Sequence, residues 1–237
     1  MAPLSQAYRT LAVGSVLDDP DKPIEKSKFW LYGMQGTEGI STLFRFDLDL
    51  RSDDPNITFK DVGGTNMTVR LALPDDEVRY FNGFVSNFAF VSLDEDGTAM
   101  YRATLRPWLW FLTHASDCRI HPFQKKDVQQ ICEQVFSDHG FSDYRFDIKD
   151  SYQTREYCVQ YRESDFNYVS RLLEEEGIFY YFLHENGRHE LVIADPMSTL
   201  PTFAGYEEIP YYGEMGSGEP EEHITRWIVE TELQSGG

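Results

Sequence analysis

Two of the six histidines, His184 and His189, flank Glu185-Asn186-Gly187-Arg188, and their spacing is the first that could do chemistry. Asn-Gly is a favoured hairpin turn centre, so the two imidazoles would face each other across a turn. Zinc needs three or four N, S or O ligands, and neither an HExxH motif nor a close cysteine pair supplies the rest. They read as surface histidines beside a turn. His114, His139 and His223 show no ligand spacing. Asp117, Cys118 and His121 could pair a thiol nucleophile with a base, but such a triad is built in space, and no oxyanion-hole glycine motif accompanies them. Cys118 reads instead as packing between two structural units. Glu174-Glu175-Glu176 falls in the last turn of a helix, where each carboxylate opposes the macrodipole at about 0.3–1 kcal/mol. Pairing with Arg155, Arg162 or Arg171 would explain it, as would an acidic contact with another subunit. Among 40 acidic residues, carboxylate pairs of glycosidase type arise by chance. Gly36, Gly39, Gly63 and Gly64 belong to no phosphate-binding loop. Arg106-Pro107-Trp108-Leu109-Trp110 suits core packing better than sugar or peptide stacking. The sequence therefore assigns no catalytic, cofactor-binding or metal-ligating residue.

The elements that would carry these residues divide the 237-residue chain. Its net charge of −19 disfavours nucleic acid or an anionic membrane surface as partner. The acidity is spread widely, as on a solvated surface. Three widely spaced cysteines, Cys118, Cys132 and Cys158, argue against a disulfide framework, and the last two read as buried thiols. The N-terminus lacks the basic start and apolar core of a signal peptide, and no run approaches the roughly 20 apolar residues of a membrane span. A cytoplasmic origin follows, with any export by a route that reads no such signal.

Residues 1–113 read as a β-barrel domain of short antiparallel strands. Leu43–Arg51 alternates, with Phe44, Phe46, Leu48 and Leu50 on one face. Met67–Leu73 repeats the pattern. Val78–Val91 forms a long strand expected to bulge at Asn82-Gly83, and Met100–Arg106 follows the turn Asp94-Glu95-Asp96-Gly97. Residues 114–200 read as an α+β domain. Val128, Ile131, Cys132, Val135 and Phe136 make one apolar helical stripe behind Asp127 and Gln130, a capping-box pair. Helices are expected over 127–139 and 165–176, with Tyr157–Tyr161 as a strand and a hairpin pairing Ile178–His184 with His189–Ala194. Residues 201–237 read as a Pro- and Gly-rich linker plus one strand-like run, His223–Leu233, with no partner in its own segment.

Ordered motifs along the chain resemble the VgrG (valine-glycine-repeat protein G) family of type VI secretion spikes. They are Gly36-Thr37-Glu38-Gly39-Ile40-Ser41 ahead of Leu43–Leu50, Tyr80–Val85, Tyr101, Pro107–Thr113, Cys118-Arg119-Ile120 with Phe123-Gln124, Glu156–Phe182, His184 and Leu191–Asp195. His121-Pro122 is an insertion relative to the family pattern. The resemblance implies a mainly β, phage baseplate hub-like α+β fold: a tube-like antiparallel barrel, an inserted α+β region, and the start of a second barrel in a chain shorter than the full spike. It implies a homotrimer in the full-length protein whose barrels mimic six-fold symmetry, docking on a ring of haemolysin-coregulated protein (Hcp), with effectors, adaptors and baseplate proteins as further partners. It implies no enzymatic activity, no cofactor, and secretion through the type VI apparatus. A contractile phage tail hub and a cell-wall hydrolase associated with such a hub are the alternative readings.

Overall fold

The computed structural model describes residues 11–15, 27–73, 77–115, 125–195, 208–211, 224 and 226–229. The chain divides into two compact units, Met1–Pro196 and Met197–Gly237.

In the first unit, β1 (Leu11–Ser15), β2 (Trp30–Thr37), β3 (Arg45–Ser52), β4 (Asn66–Ala72), β5 (Val78–Leu93) and β6 (Ala99–Arg106) form one antiparallel sheet ordered β1-β4-β5-β6-β3-β2. The sheet curls until its end strands, β1 and β2, come into contact, which makes the barrel-like form expected from the alternation. Phe46, Leu48 and Leu50 point inward and are fully buried, while Arg45, Asp47 and Asp49 lie on the outer face. A short helix, α1 (Phe59–Val62), precedes β4, and Val62 joins this core.

The expected bulge at Asn82-Gly83 is corrected. Both residues stay in register with β4, opposite Thr68 and Met67, and the register shifts between Val85/Asn87 and between Phe90/Ser92. Gly83 answers to packing: a Cβ there would lie 3.0 Å from Leu105 Cβ and 3.1 Å from both Arg106 O and Phe44.

After β6 a 3-10 helix, Trp108–Thr113, leads to α2 (Val128–Asp138), β7 (Tyr144–Asp147), α3 (Asp165–Glu175), β8 (Phe179–Glu185) and β9 (Arg188–Ala194). The Asp127–Gln130 capping box starts α2, Ser164 caps α3, and Gly140 and Gly177 follow the helices at φ 74° and 70°. The small sheet is ordered β7-β9-β8, with β7 parallel to β9. Tyr157–Tyr161 forms no strand: Cys158 and Gln160 are buried, Tyr157 and Tyr161 are 69% and 62% exposed, and the stretch has no ladder partner among the described residues. Alternation and aromatic content mimic a strand here, but the parallel position beside β9 is taken by β7.

Two apolar cores result. One lies inside the curled sheet, the other beneath Trp108, α2, α3 and the small sheet, and Phe182 packs against both. In the second unit, Tyr211 and Ile224 make an isolated parallel bridge. The strand-like run expected over 223–233 lies largely outside the described residues, and 226–229 show no strand.

Candidate functional site

β6 ends at Arg106, opposite Phe84, so the earlier residues of β5 lose their neighbour on that side. The hairpin β8–β9 moves into the gap. Asn82 N–H donates to His184 Nδ1 at 3.1 Å, taking the bond β6 no longer offers. His189 sits opposite His184 in the hairpin register. Trp108 N–H donates to His189 Nε2 at 2.9 Å, so the ring proton is assigned to Nδ1, which donates to Asn82 Oδ1 at 2.8 Å. Asn82 Nδ2 donates to Thr68 Oγ1 at 2.7 Å and to Asn66 Oδ1 at 2.6 Å, and Gly187 N–H reaches the same Thr68 oxygen at 3.2 Å. Phe44 packs edge-on against Phe182, His184 and His189. A buried polar network wrapped in aromatic rings thus fastens the α+β layer to the barrel sheet.

The reading of these histidines as surface residues is overturned. His189 is 2% exposed and the His184 side chain 7%. Burial first, then the neighbouring His184, pushes the His189 imidazole down to about 3, so it is neutral. Only the turn beyond them is solvated. The available signal was the alternation Tyr180, Phe182, His184 and His189, Leu191, Ile193, which puts both histidines on the apolar face.

His184 Nε2 lies 3.1 Å from Glu38 Oε1 without hydrogen-bond alignment. This contact and Arg79 hold the Glu38 carboxyl below its ordinary value, against the opposing effect of burial. A second tie runs from Ser41 N–H to Tyr180 O at 2.8 Å, and holds Ser41 at φ 51°.

Another polar pair, which sequence reasoning missed, sits at the start of α3. The buried Asp165 carboxyl meets His139 Nε2 at 2.5 Å and Gln160 Nε2 at 2.6 Å. A carboxyl–imidazole pair orients a base when a nucleophile stands beyond the imidazole. Here Asp165 instead joins the end of α2, the start of α3 and the extended stretch before it. Asp117, Cys118, His121 and His223 lie outside the described residues. His114 stays beside Trp110, with ring centroids 4.3 Å apart. Cys132 and Cys158 are buried free thiols. Burial raises the Cys132 thiol far above its usual range, and Cys158 Sγ lies 3.2 Å from Tyr168 Oη. Among the described residues, no group of three or more His, Cys, Asp or Glu could hold a metal ion.

Two of the three acids at the end of α3, Glu175 and Glu176, pair within the chain. Arg155 bonds Glu175 and Glu176, each at 2.6 Å, and Arg171 bonds Glu175 at 3.0 Å and Glu163 at 2.7 Å. Arg162 instead lies over the Tyr161 ring. Of the aromatic cluster, Trp108 is core, stacked on Phe141 and edge-on to Phe136. Trp110 edges an open groove of about 910 Å³ on the outer sheet face, where Arg45, Asp47, Asp49, Arg102, Thr104 and Arg106 gather. Asp47 bonds Arg45 and Thr104, and Asp49 bonds Arg102. Three arginines and two aspartates make this a polar face with one cation in excess.

Comparison with known proteins agrees with this geometry. Residues 37–237 match the phage tail baseplate hub (GPD) family. The type VI secretion system spike protein VgrG1a of Pseudomonas aeruginosa is 40% identical over 216 residues, which is 91% of this chain and 33% of that protein. The actin cross-linking toxin VgrG1 of Vibrio cholerae is 32% identical over 202 residues, 81% of this chain and 18% of the toxin. Among solved structures, the E. coli c3393 protein aligns with a TM-score of 0.62 and 28% identity, covering 78% of this chain and 52% of that one. It is described as a component of the type VI secretion system with structural similarity to T4 bacteriophage tail proteins gp27 and gp5. The chain spans about a third of the length of VgrG1a.

Proposed function

We propose that this chain, which belongs to the phage tail baseplate hub family, is the base of a type VI secretion spike of VgrG type and acts structurally, without catalysis. One observation carries the reading: 40% identity to VgrG1a over 91% of the chain. A base that transmits force needs its layers locked, and the His184–His189–Asn82 network supports that role. The enzymatic name of the Vibrio cholerae relative is compatible, because the match covers only 18% of the toxin.

On this reading the full-length protein is a trimer that seats on a ring of Hcp, carries effectors or their adaptors, and leaves the cell through the type VI apparatus. No helix among the described residues is long and apolar enough to cross a membrane. Domain limits of 1–113, 114–200 and 201–237 fit the scheme, with the last segment opening a second barrel. The baseplate hub family match and the gp27/gp5 similarity of the E. coli protein favour a second reading, a contractile phage tail hub.

Cryo-microscopy of the full-length protein mixed with tube protein tests the proposal. Density in which the curled sheet continues the tube wall supports it; tube protein that ignores this chain overturns it. Cleavage of peptidoglycan lost on a single Asp or Glu substitution would overturn the non-catalytic part.

A further inference from the structure

β5 is more than twice as long as its neighbour β4, 16 residues against 7. β4 covers it only from Val78 to Phe84, and the loop before β4 covers Val85, whose N–H donates to Thr65 O and whose C=O accepts from Gly64 N–H. From Asn87 to Leu93, β6 lies along one side. On the other side α1 approaches β5, but no described residue pairs with the backbone of Asn87–Leu93. Antiparallel strands turn successive backbone groups alternately toward each neighbour. Val85 faces away from β6, and Asp94 N–H faces the β6 side, bonding Thr98 O. Counting through the two register shifts, the N–H and C=O groups of Phe88, Phe90 and Leu93 face the uncovered side. Side chains along this edge are apolar and open: Phe90 is 50% exposed, Val91 51% and Leu93 54%. Proteins ordinarily guard such an edge with lysine, proline or a covering segment.

The charge beside it selects an occupant. The edge runs into Asp94-Glu95-Asp96. Arg51 answers Asp94 at 3.2 Å, and the Thr98 backbone N–H first, then its side chain, hold the Asp96 carboxyl below its ordinary value. The carboxylates of this turn, within a chain of net charge −19, attract a cationic segment.

We propose that Asn87–Leu93 is a strand-accepting edge, to which an apolar extended segment bearing lysine or arginine, supplied by another protein, adds as a new strand. Backbone bonds from Phe88, Phe90 and Leu93 give the affinity, and the acidic turn gives the preference for a basic strand. This goes beyond the spike-base reading and does not depend on it.

The test uses the 237-residue chain and a fluorescein-labelled nonapeptide of alternating valine and lysine. A valine–glutamate nonapeptide and a valine–lysine peptide with a central proline serve as controls. Anisotropy should show binding of the valine–lysine peptide alone, and amide exchange at Phe88, Phe90 and Leu93 should slow by about tenfold or more. Phe90→Pro and Leu93→Pro remove only outward N–H groups and spare the β6 ladder, so each should weaken binding about tenfold with the circular dichroism unchanged. Leu93→Lys, which keeps the backbone, should weaken it as well if a proline variant unfolds. Equal binding of the glutamate peptide would overturn the proposal. So would unchanged exchange at millimolar peptide, or protection that rises with protein concentration alone, which would make the occupant a second copy.

Discussion

His189 and Asn82 lie 107 positions apart and meet at 2.8 Å, joining β9 to the middle of β5 through a neutral imidazole and a fully buried amide. Linkage follows from the lowered His189 value of about 3 against an ordinary 6.5. Between these values the unfolded chain binds a proton the native chain refuses. Stability from this group is therefore complete above about pH 6.5 and declines on acidification, by about 1.4 kcal/mol per pH unit until about pH 3. Urea midpoints of the wild type and His189→Gln, taken from pH 7 to pH 4, should converge as the pH falls. A constant difference would show that His189 does not titrate this way.

Asn82→Leu should cost about 2–4 kcal/mol, because the His189 Nδ1–H and the amide of Asn66 then face an apolar side chain in a closed seam. Urea unfolding measures it. If the α+β layer loses amide protection before the curled sheet does, the seam is the weak joint between them.

Much of this fold was legible because local periodicity and core burial coincide. Ile131, Cys132 and Phe136 read as one stripe and are buried, and Asn186-Gly187 read as the turn that joins β8 to β9. Long-range choices were not legible. Nothing local to β3 selects β6 as its neighbour, and Tyr157–Tyr161 has the composition of a strand without the pairing. The seam was missed for a related reason: His184, His189 and Asn82 are polar residues at inward positions, and their partners lie up to 107 residues away. Arg155 and Arg171 were found as partners for Glu175 because the helix-end acids break a local rule that demands compensation.

Asp165→Ala should destabilise by about 2–4 kcal/mol, since it strands donors on His139 and Gln160 in a closed site. Ser164→Ala, one residue earlier, removes only the cap to Asn167 N–H and should cost about 1 kcal/mol. Thermal or urea unfolding of the two variants side by side checks the order. Equal losses would mean that Asp165 matters only as a first-turn acid.

Arg155→Ala should cost about 1 kcal/mol at low salt, and less at high salt. Its guanidinium side chain is 22% exposed and binds two carboxylates, of which Glu175 is 42% exposed, so solvent screens part of the attraction. Melting in low and high sodium chloride gives the comparison, and a salt-independent loss would point to packing of the side-chain stem instead.

Gly83 and Gly64 separate two ways in which glycine is required. At Gly64, φ is +71° and a Cβ would meet nothing within 4 Å, so Gly64→Ala should cost about 1 kcal/mol through backbone strain alone. At Gly83 the strand conformation admits any residue, but a Cβ would press on Leu105 Cβ at 3.0 Å and on Arg106 O and Phe44 at 3.1 Å. Two of those neighbours are buried side chains and one is backbone, so little can move aside. Gly83→Ala should cost about 1–3 kcal/mol, and Gly83→Val more, because added volume in a close-packed core forces its neighbours off their rotamers. At Gly64, by contrast, a longer side chain meets open space, so valine should add only the further strain of a β-branched residue at positive φ. Denaturant midpoints for the four variants test this. A Gly83→Val loss no larger than that of Gly83→Ala would mean that β5 moves away from β6 to make room, and that the sheet is more compliant at this position than its packing indicates.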